Sequence, residues 1–132
     1  MSTMMRAAVF HGPGDVRVEE VAAPGPPAPG AVVLRVLMAA ICGTDCAEYL
    51  HGPVLVPLDR RHPASGHVGP LILGHEFVGV VEAAGAGADL AVGDRVVCGA
   101  GISCGACPWC AAGRTNLCER YFTVGLHVHG GL

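Results

Sequence analysis

The chain has 132 residues, enough for one domain with a buried core and short for two packed domains. It is 52% hydrophobic and 14% charged, which excludes a disordered chain, and 20 Gly with 10 Pro weigh against long regular helices. The net charge is −3, the eight positive residues are all Arg, and no basic run occurs, which argues against nucleic acid or an anionic membrane as partner.

In chain order, Arg6 to Phe10 reads as a first strand closed by the turn Gly12-Pro13-Gly14-Asp15. Val16 to Val21 alternates apolar and charged residues and predicts a half-exposed second strand. Four prolines make Ala22 to Gly30 a loop, and Ala31 to Ile41 is a β-branched-rich third strand. Thr44 is expected to cap a short helix over Asp45 to Leu50, with Glu48 near its first turn. Gly52 to Pro70 reads as a long surface loop, a length that is often functional. Leu71 to Leu73, Phe77 to Ala84 and Asp94 to Cys98 are further strands, and Tyr121 to Leu126 is a last one. Short strands between Gly and Pro turns predict a mainly β fold, a barrel or partly open barrel. No Gly-x-Gly-x-x-Gly follows a strand, so no dinucleotide-binding fold is expected within these residues. Arg6 breaks the apolar character of Met1 to Phe10, and the longest apolar run, Val36 to Cys42, is far short of a bilayer span. A cytoplasmic protein is therefore expected, and the Lys-free, Ala- and Gly-rich composition suits a GC-rich bacterial gene.

Seven cysteines in such a compartment point to metal or catalysis more than to disulfides. Cys104, Cys107, Cys110 and Cys118 are spaced C-x2-C-x2-C-x7-C within residues 99–119. Two intervening residues let successive thiolates curl around one ion, and four thiolates saturate a tetrahedral zinc, the pattern of a structural site. An iron–sulfur cluster is the alternative occupant. A second group is Cys42, in Cys42-Gly43-Thr44-Asp45, with His75 and Glu76, in Gly74-His75-Glu76. Thiolate, imidazole and carboxylate are all zinc ligands, although a lone Cys or His is more often a packing residue. Cys46 and Cys98 are expected to pack, His62 and His67 to be solvated, and His127 and His129 to lie on a surface strand or a fraying end. Trp109 is expected to pack against the barrel or a partner.

Taken together these motifs resemble the zinc-dependent medium-chain alcohol dehydrogenase family. Gly74 to Ala88 is similar to its zinc signature, with Gly79 and Gly85 at matching positions, and Val92-Gly93-Asp94-Arg95-Val96 is similar to the strand motif after it. The four-cysteine spacing is similar to that of the family's structural zinc, which favours zinc over iron. Glu48-Tyr49-Leu50, the long loop and Gly125-Leu126-His127 look most like the polyol and butanediol dehydrogenase branch.

The resemblance implies a GroES-like, partly open β-barrel with short helices and a zinc-binding lobe over residues 1–132. It implies that Cys42 and His75 ligate a catalytic zinc, with Glu76 beside it and able to exchange with substrate or water. It further implies that Asp45 orients His75 and that Thr44 accepts the substrate hydroxyl proton. The expected activity is oxidation of a small alcohol or polyol by NAD or NADP. The chain is expected to be incomplete, lacking its nucleotide-binding domain, inactive alone and homo-oligomeric. Ala47 departs from the family, many of whose members have a proton-relaying His there; His51 lies one turn on. The alternatives are a GroES-like zinc or interaction module without redox activity, and a zinc-ribbon nucleic-acid binder, against which the sparse positive charge speaks.

Overall fold

The computed structural model describes residues 3–132. β1 (Met4–Gly12) and β2 (Asp15–Ala22) form a hairpin in which Met4 faces Ala22 and Phe10 faces Val16. Gly14 donates to Tyr49 O at 2.7 Å, which ties the hairpin turn to the only helix of more than four residues among those described. β3 (Val32–Ala40) leads into that helix, α1 (Gly43–His51). The long excursion after it returns as β4 (Leu71–Ile72), followed by β5 (Glu76–Ala84) and β6 (Arg95–Val97).

Two three-stranded antiparallel sheets result, ordered β2-β1-β4 and β3-β5-β6. A third, two-stranded sheet pairs β7 (Gly101–Ile102) with β8 (Phe122–Thr123) and frames the cysteine lobe. Within the lobe lie α2 (Pro108–Ala111) and one 3-10 turn, Thr115–Leu117. No closed barrel forms among the described residues; β2, β3 and β6 each keep one edge unpaired. The architecture is therefore the mainly β, partly open fold expected.

The core is small and lies around β1 and β4. Phe10, Val56, Leu71, Leu73 and Leu126 form one buried cluster, with Leu58 and Leu132 packed against it. Ala7, Val9 and Ile72 form a second. Alternation along β1 places Ala7 and Val9 on one face, where they pack with Ile72, Met5 and Val21.

The structure changes two expectations, the helix cap and the last strand, and adds two features. The helix begins at Gly43 with Cys42, not Thr44, at its N-cap, because the Asp45 carboxylate reaches back to the Cys42 amide at 2.9 Å. Glu48, expected near the first turn of the helix, is fully buried. The last strand spans only Phe122–Thr123, since Gly125, at φ +76°, turns the chain so that Leu126 enters the core. β3 is paired as expected, yet its apolar run is largely uncovered: Met38 and Ile41 are 71% and 70% exposed. Bulges at Val33/Leu34 and Val36/Met38 interrupt its side-chain alternation.

Candidate metal centres

The cysteine lobe is shaped by its own backbone. Cys107 is the N-cap of α2 and Pro108 its first residue, where a missing amide costs nothing. Amides point at the sulfurs: Cys104 N donates to Cys118 Sγ, Cys107 N to Cys104 Sγ and Arg120 N to Cys118 Sγ, each at 3.3 Å. All four Sγ atoms lie within 4.8 Å of one another. Cys107 Sγ and Cys110 Sγ are 3.5 Å apart, and Cys104 Sγ and Cys110 Sγ 4.0 Å. Sulfurs about 2.3 Å from a central zinc would be about 3.8 Å apart at tetrahedral corners, so these spacings suit that ion.

The lobe is also prepared electrostatically for thiolates. Amide donors, from Cys110 first and Glu119 next, bring the Cys107 thiol down to about 6. The amides of Ala106 and Cys107 lower Cys104 as well. Cys110 is pushed up to about 11, by lost hydration first and by its contact with Cys107 next. Four clustered sulfurs without a cation cannot all ionise, and the opposite shifts of Cys107 and Cys110 express that conflict. Trp109 does not pack inward; it is 41% exposed.

The second centre is assembled from three elements. Cys42 sits where β3 hands over to α1, His75 precedes β5, and Glu76 is the first residue of β5. The β3–β5 pairing brings Ala40 opposite Glu76, which closes a 32-residue sequence gap. One ligand atom from each of Cys42, His75 and Glu76 lies within 4.8 Å of the others. Cys42 and His75 are half-buried and Glu76 is exposed. Beside Glu76 opens an apolar cavity of about 330 Å³, walled by Met38, Ala40, Phe77, Val78, Val97 and Cys98.

Asp45 supports this centre from below. Its side chain is 3% exposed; Oδ2 accepts the Cys42 amide, and Oδ1 faces His75 Nδ1 at 3.6 Å. Oδ1 and Nδ1 have no other partner, so each is satisfied only by closing on the other. An Nδ1 proton directed at Asp45 leaves Nε2 with its lone pair for a cation. The Thr44 hydroxyl is 3.8 Å from Cys42 Sγ. Ala47 follows inside α1, and His51 is exposed at the helix end.

Glycine backbones hold His75 from the other side. Gly74 has φ +94°, and a Cβ there would strike Leu132. A Cβ on Gly125 would fall on the Gly74 carbonyl and the His75 amide. The last residues thus lie directly on the peptide that carries His75, with Gly131 N donating to Gly74 O at 3.0 Å and Leu132 N to Leu73 O at 3.0 Å.

Sequence reasoning missed two features. Glu48 accepts the amides of Val54, Leu55 and Val56 and so fixes the start of the long loop. His62 and His67 are not solvated but meet His127 and His129 across about 60 residues. Glu48 bonds only six to eight residues ahead, in a loop without regular periodicity, and the histidine pairs are long-range packing choices.

This fold and these two donor sets define a metal-binding β domain of the dehydrogenase type. Residues 28–132 match the family described as Alcohol dehydrogenase GroES-like domain. The (R,R)-butanediol dehydrogenase of Bacillus subtilis (strain 168) is 43% identical over 94 residues, which cover 70% of this chain and 27% of that protein. The erythritol/L-threitol dehydrogenase of Mycolicibacterium smegmatis is 40% identical over 125 residues, 92% of this chain and 34% of that protein. The crystal structure of 2R,3R-butanediol dehydrogenase from Bacillus subtilis superposes with a TM-score of 0.84 at 37% identity, over 98% of this chain and 36% of the other. A zinc-binding dehydrogenase from Sinorhizobium meliloti 1021 bound to NADP gives 0.77 at 39% identity, over 98% and 34%. The chain belongs to the zinc-type alcohol dehydrogenase family and carries its GroES-like domain. It spans about a quarter to a third of the length of these relatives.

Proposed function

We propose that residues 1–132 are the zinc-holding catalytic domain of an NAD(P)-dependent alcohol or polyol dehydrogenase. The observation that carries this reading is the convergence of Cys42, His75 and Glu76 donor atoms within 4.8 Å, with Asp45 behind the imidazole. Three protein donors that leave a position open mark a catalytic zinc, and four thiolates mark a structural one. Zinc held by Cys42, His75 and Glu76 would supply Lewis acidity that lowers the pKa of an alcohol.

The chain's own residues do the rest. Cys42 and His75 hold the ion, and Asp45 keeps the His75 Nδ1 proton in place and the imidazole oriented. Glu76, exposed at the rim, is the donor that can yield to substrate or water. Thr44 receives the hydroxyl proton and passes it outward; with Ala47 in the relay position, the next stop is solvent or His51. The apolar wall of Met38, Val78 and Val97 excludes water beside the site once it is covered. The nicotinamide belongs to sequence outside these residues, as the NADP-bound relative, of which this chain matches 34%, suggests. The lobe's four cysteines hold a second, structural zinc. Among the described residues no helix is long and apolar enough to cross a membrane; we place the protein in the cytoplasm, as a homo-oligomer.

The test is a chimaera in which this chain replaces the matching third of the Bacillus subtilis butanediol dehydrogenase. We expect NAD-linked turnover of a vicinal diol that H75A and C42S abolish while the lobe's zinc stays bound. A chimaera that binds zinc at both centres and folds, yet oxidises no alcohol, would return the domain to a binding role.

A further inference from the structure

The loop after α1 and the last ten residues meet through four imidazoles. His62 stacks on His127 with ring centroids 4.3 Å apart, and His67 meets His129 edge-on at 5.1 Å. Three of the four use Nδ1 as an acceptor for a backbone amide: His62 for Ser65 at 3.1 Å, His127 for Thr123 at 3.0 Å and His129 for Ile72 at 3.1 Å. An imidazole that accepts at Nδ1 carries its single proton on Nε2 and must be neutral. Ser65 adds a bridge by donating its hydroxyl to His127 O at 2.7 Å.

We propose that this histidine cluster is a pH-sensitive clasp that holds residues 123–132 against the loop 62–69 and against the Gly74–His75 peptide only while its imidazoles are neutral. Protonation turns each accepting Nδ1 into a donor facing a donor, so three backbone contacts fail by the same event. It also sets one imidazolium on another in the His62–His127 stack, a like-charge contact. The segment so released is the one whose Gly130 and Gly131 amides bind Ile72 O and Gly74 O and whose Gly125 packs on His75. Acid therefore loosens the backbone that places His75.

The groups facing the clasp decide its direction. Burial first, and the neighbouring His62 second, hold His127 below its ordinary 6.5; the buried Glu48 carboxylate pulls the other way. Burial and then the neighbouring His67 lower His129 as well, a smaller matter for stability because much of that residue stays exposed. Asp59, Arg60 and Arg61 are the other charges of the loop, and the Arg61 guanidinium donates to Gly66 O. Depressed folded pKa values mean that the unfolded state binds more protons, so the clasp's contribution is complete above about pH 6.5 and falls as pH drops below it.

NMR of this chain tests the proposal without any metal. At pH 8, long-range imidazole spectra should show Nε2–H tautomers for His62, His127 and His129. Between pH 8 and 5 the amides of Ser65, Ile72 and Thr123 should lose protection from exchange together, by at least tenfold after correction for intrinsic rates. The variant carrying H127N and H129N, whose carbonyl oxygens substitute for Nδ1 without titrating, should retain protection of Ile72 and Thr123 to pH 5. Nδ1–H tautomers at pH 8, protection unchanged to pH 5 in the native chain, or a variant that opens with the native pH dependence would each overturn the clasp. The tautomers and the native titration decide even where the variant folds poorly. The consequence for His75 rests on the metal reading above and has its own measurement, cobalt affinity at pH 5.5. The variant should exceed the native chain there by at least threefold and match it at pH 8. No cobalt at Cys42 at any pH would count against the metal reading while leaving the clasp standing.

Discussion

Asp45 and Glu48 are one turn apart on α1, both are buried, and they do opposite jobs. Asp45 turns toward the helix start, where it satisfies the Cys42 amide and faces His75. D45N should lower zinc affinity at Cys42–His75 by about 10–100-fold, because the partner that fixes the imidazole loses its charge. Competition with a chromophoric chelator measures this, and unchanged affinity would remove Asp45 from the site. Glu48 turns the other way, its two oxygens taking three amides of the loop. A carboxamide presents one oxygen where the carboxylate presents two, so E48Q should cost about 1.5–3 kcal/mol. Urea unfolding would read that loss, and exchange at Val54, Leu55 and Val56 should rise while zinc at the lobe is unaffected.

The two metal centres differ as elements. The lobe's ligands fall between Cys104 and Cys118, and its amide donors already face the sulfurs. Metal binding there is coupled to local folding. C107S should release that zinc and raise amide exchange throughout residues 99–119, while β1 and β5 keep their protection; a lobe equally ordered without metal would refute this. The other centre depends on register between β3 and β5, and Glu76 at its rim is exposed. Its zinc should be removed first. In a graded chelator titration followed by metal analysis, we expect one equivalent lost from Cys42–His75–Glu76 well before the second, and simultaneous loss would show the two sites to be equal.

At the scale of the molecule, surface area is the informative quantity. The chain exposes 8003 Å². A compact monomer of 13.4 kDa is expected to expose about 6,500 Å², so the excess is about 1,500 Å². Much of it is apolar: Met38, Ile41, Leu50, Val92 and Val97 are each more than 60% exposed. About 800 Å² per partner suffices for a stable interface, and the outer edges of β2, β3 and β6 are open to pairing. Light scattering across a tenfold dilution should therefore give masses above 13.4 kDa at the concentrated end that fall on dilution. A single 13.4 kDa species throughout would mean that the exposed face is tolerated in solution.

The sequence by itself determined most of the strands, the loops between them and the spacing of the four-cysteine lobe, because those signals are local. Alternation marked β2, glycine and proline marked the turns, and C-x2-C spacing alone was enough to bring Cys104, Cys107 and Cys110 together. What needed the tertiary structure was every contact between distant segments. The β3–β5 register brought Cys42 to His75, and the course of the long loop buried Glu48 and stacked His62 on His127. The fate of the apolar residues was also undecided. Val36, Leu37 and Met38 belong to the longest apolar run of the sequence, yet they lie exposed on a bulged strand that the described residues leave uncovered. Hydrophobicity records that a surface is to be removed from water, and only the packed chain shows which part of it these residues bury themselves.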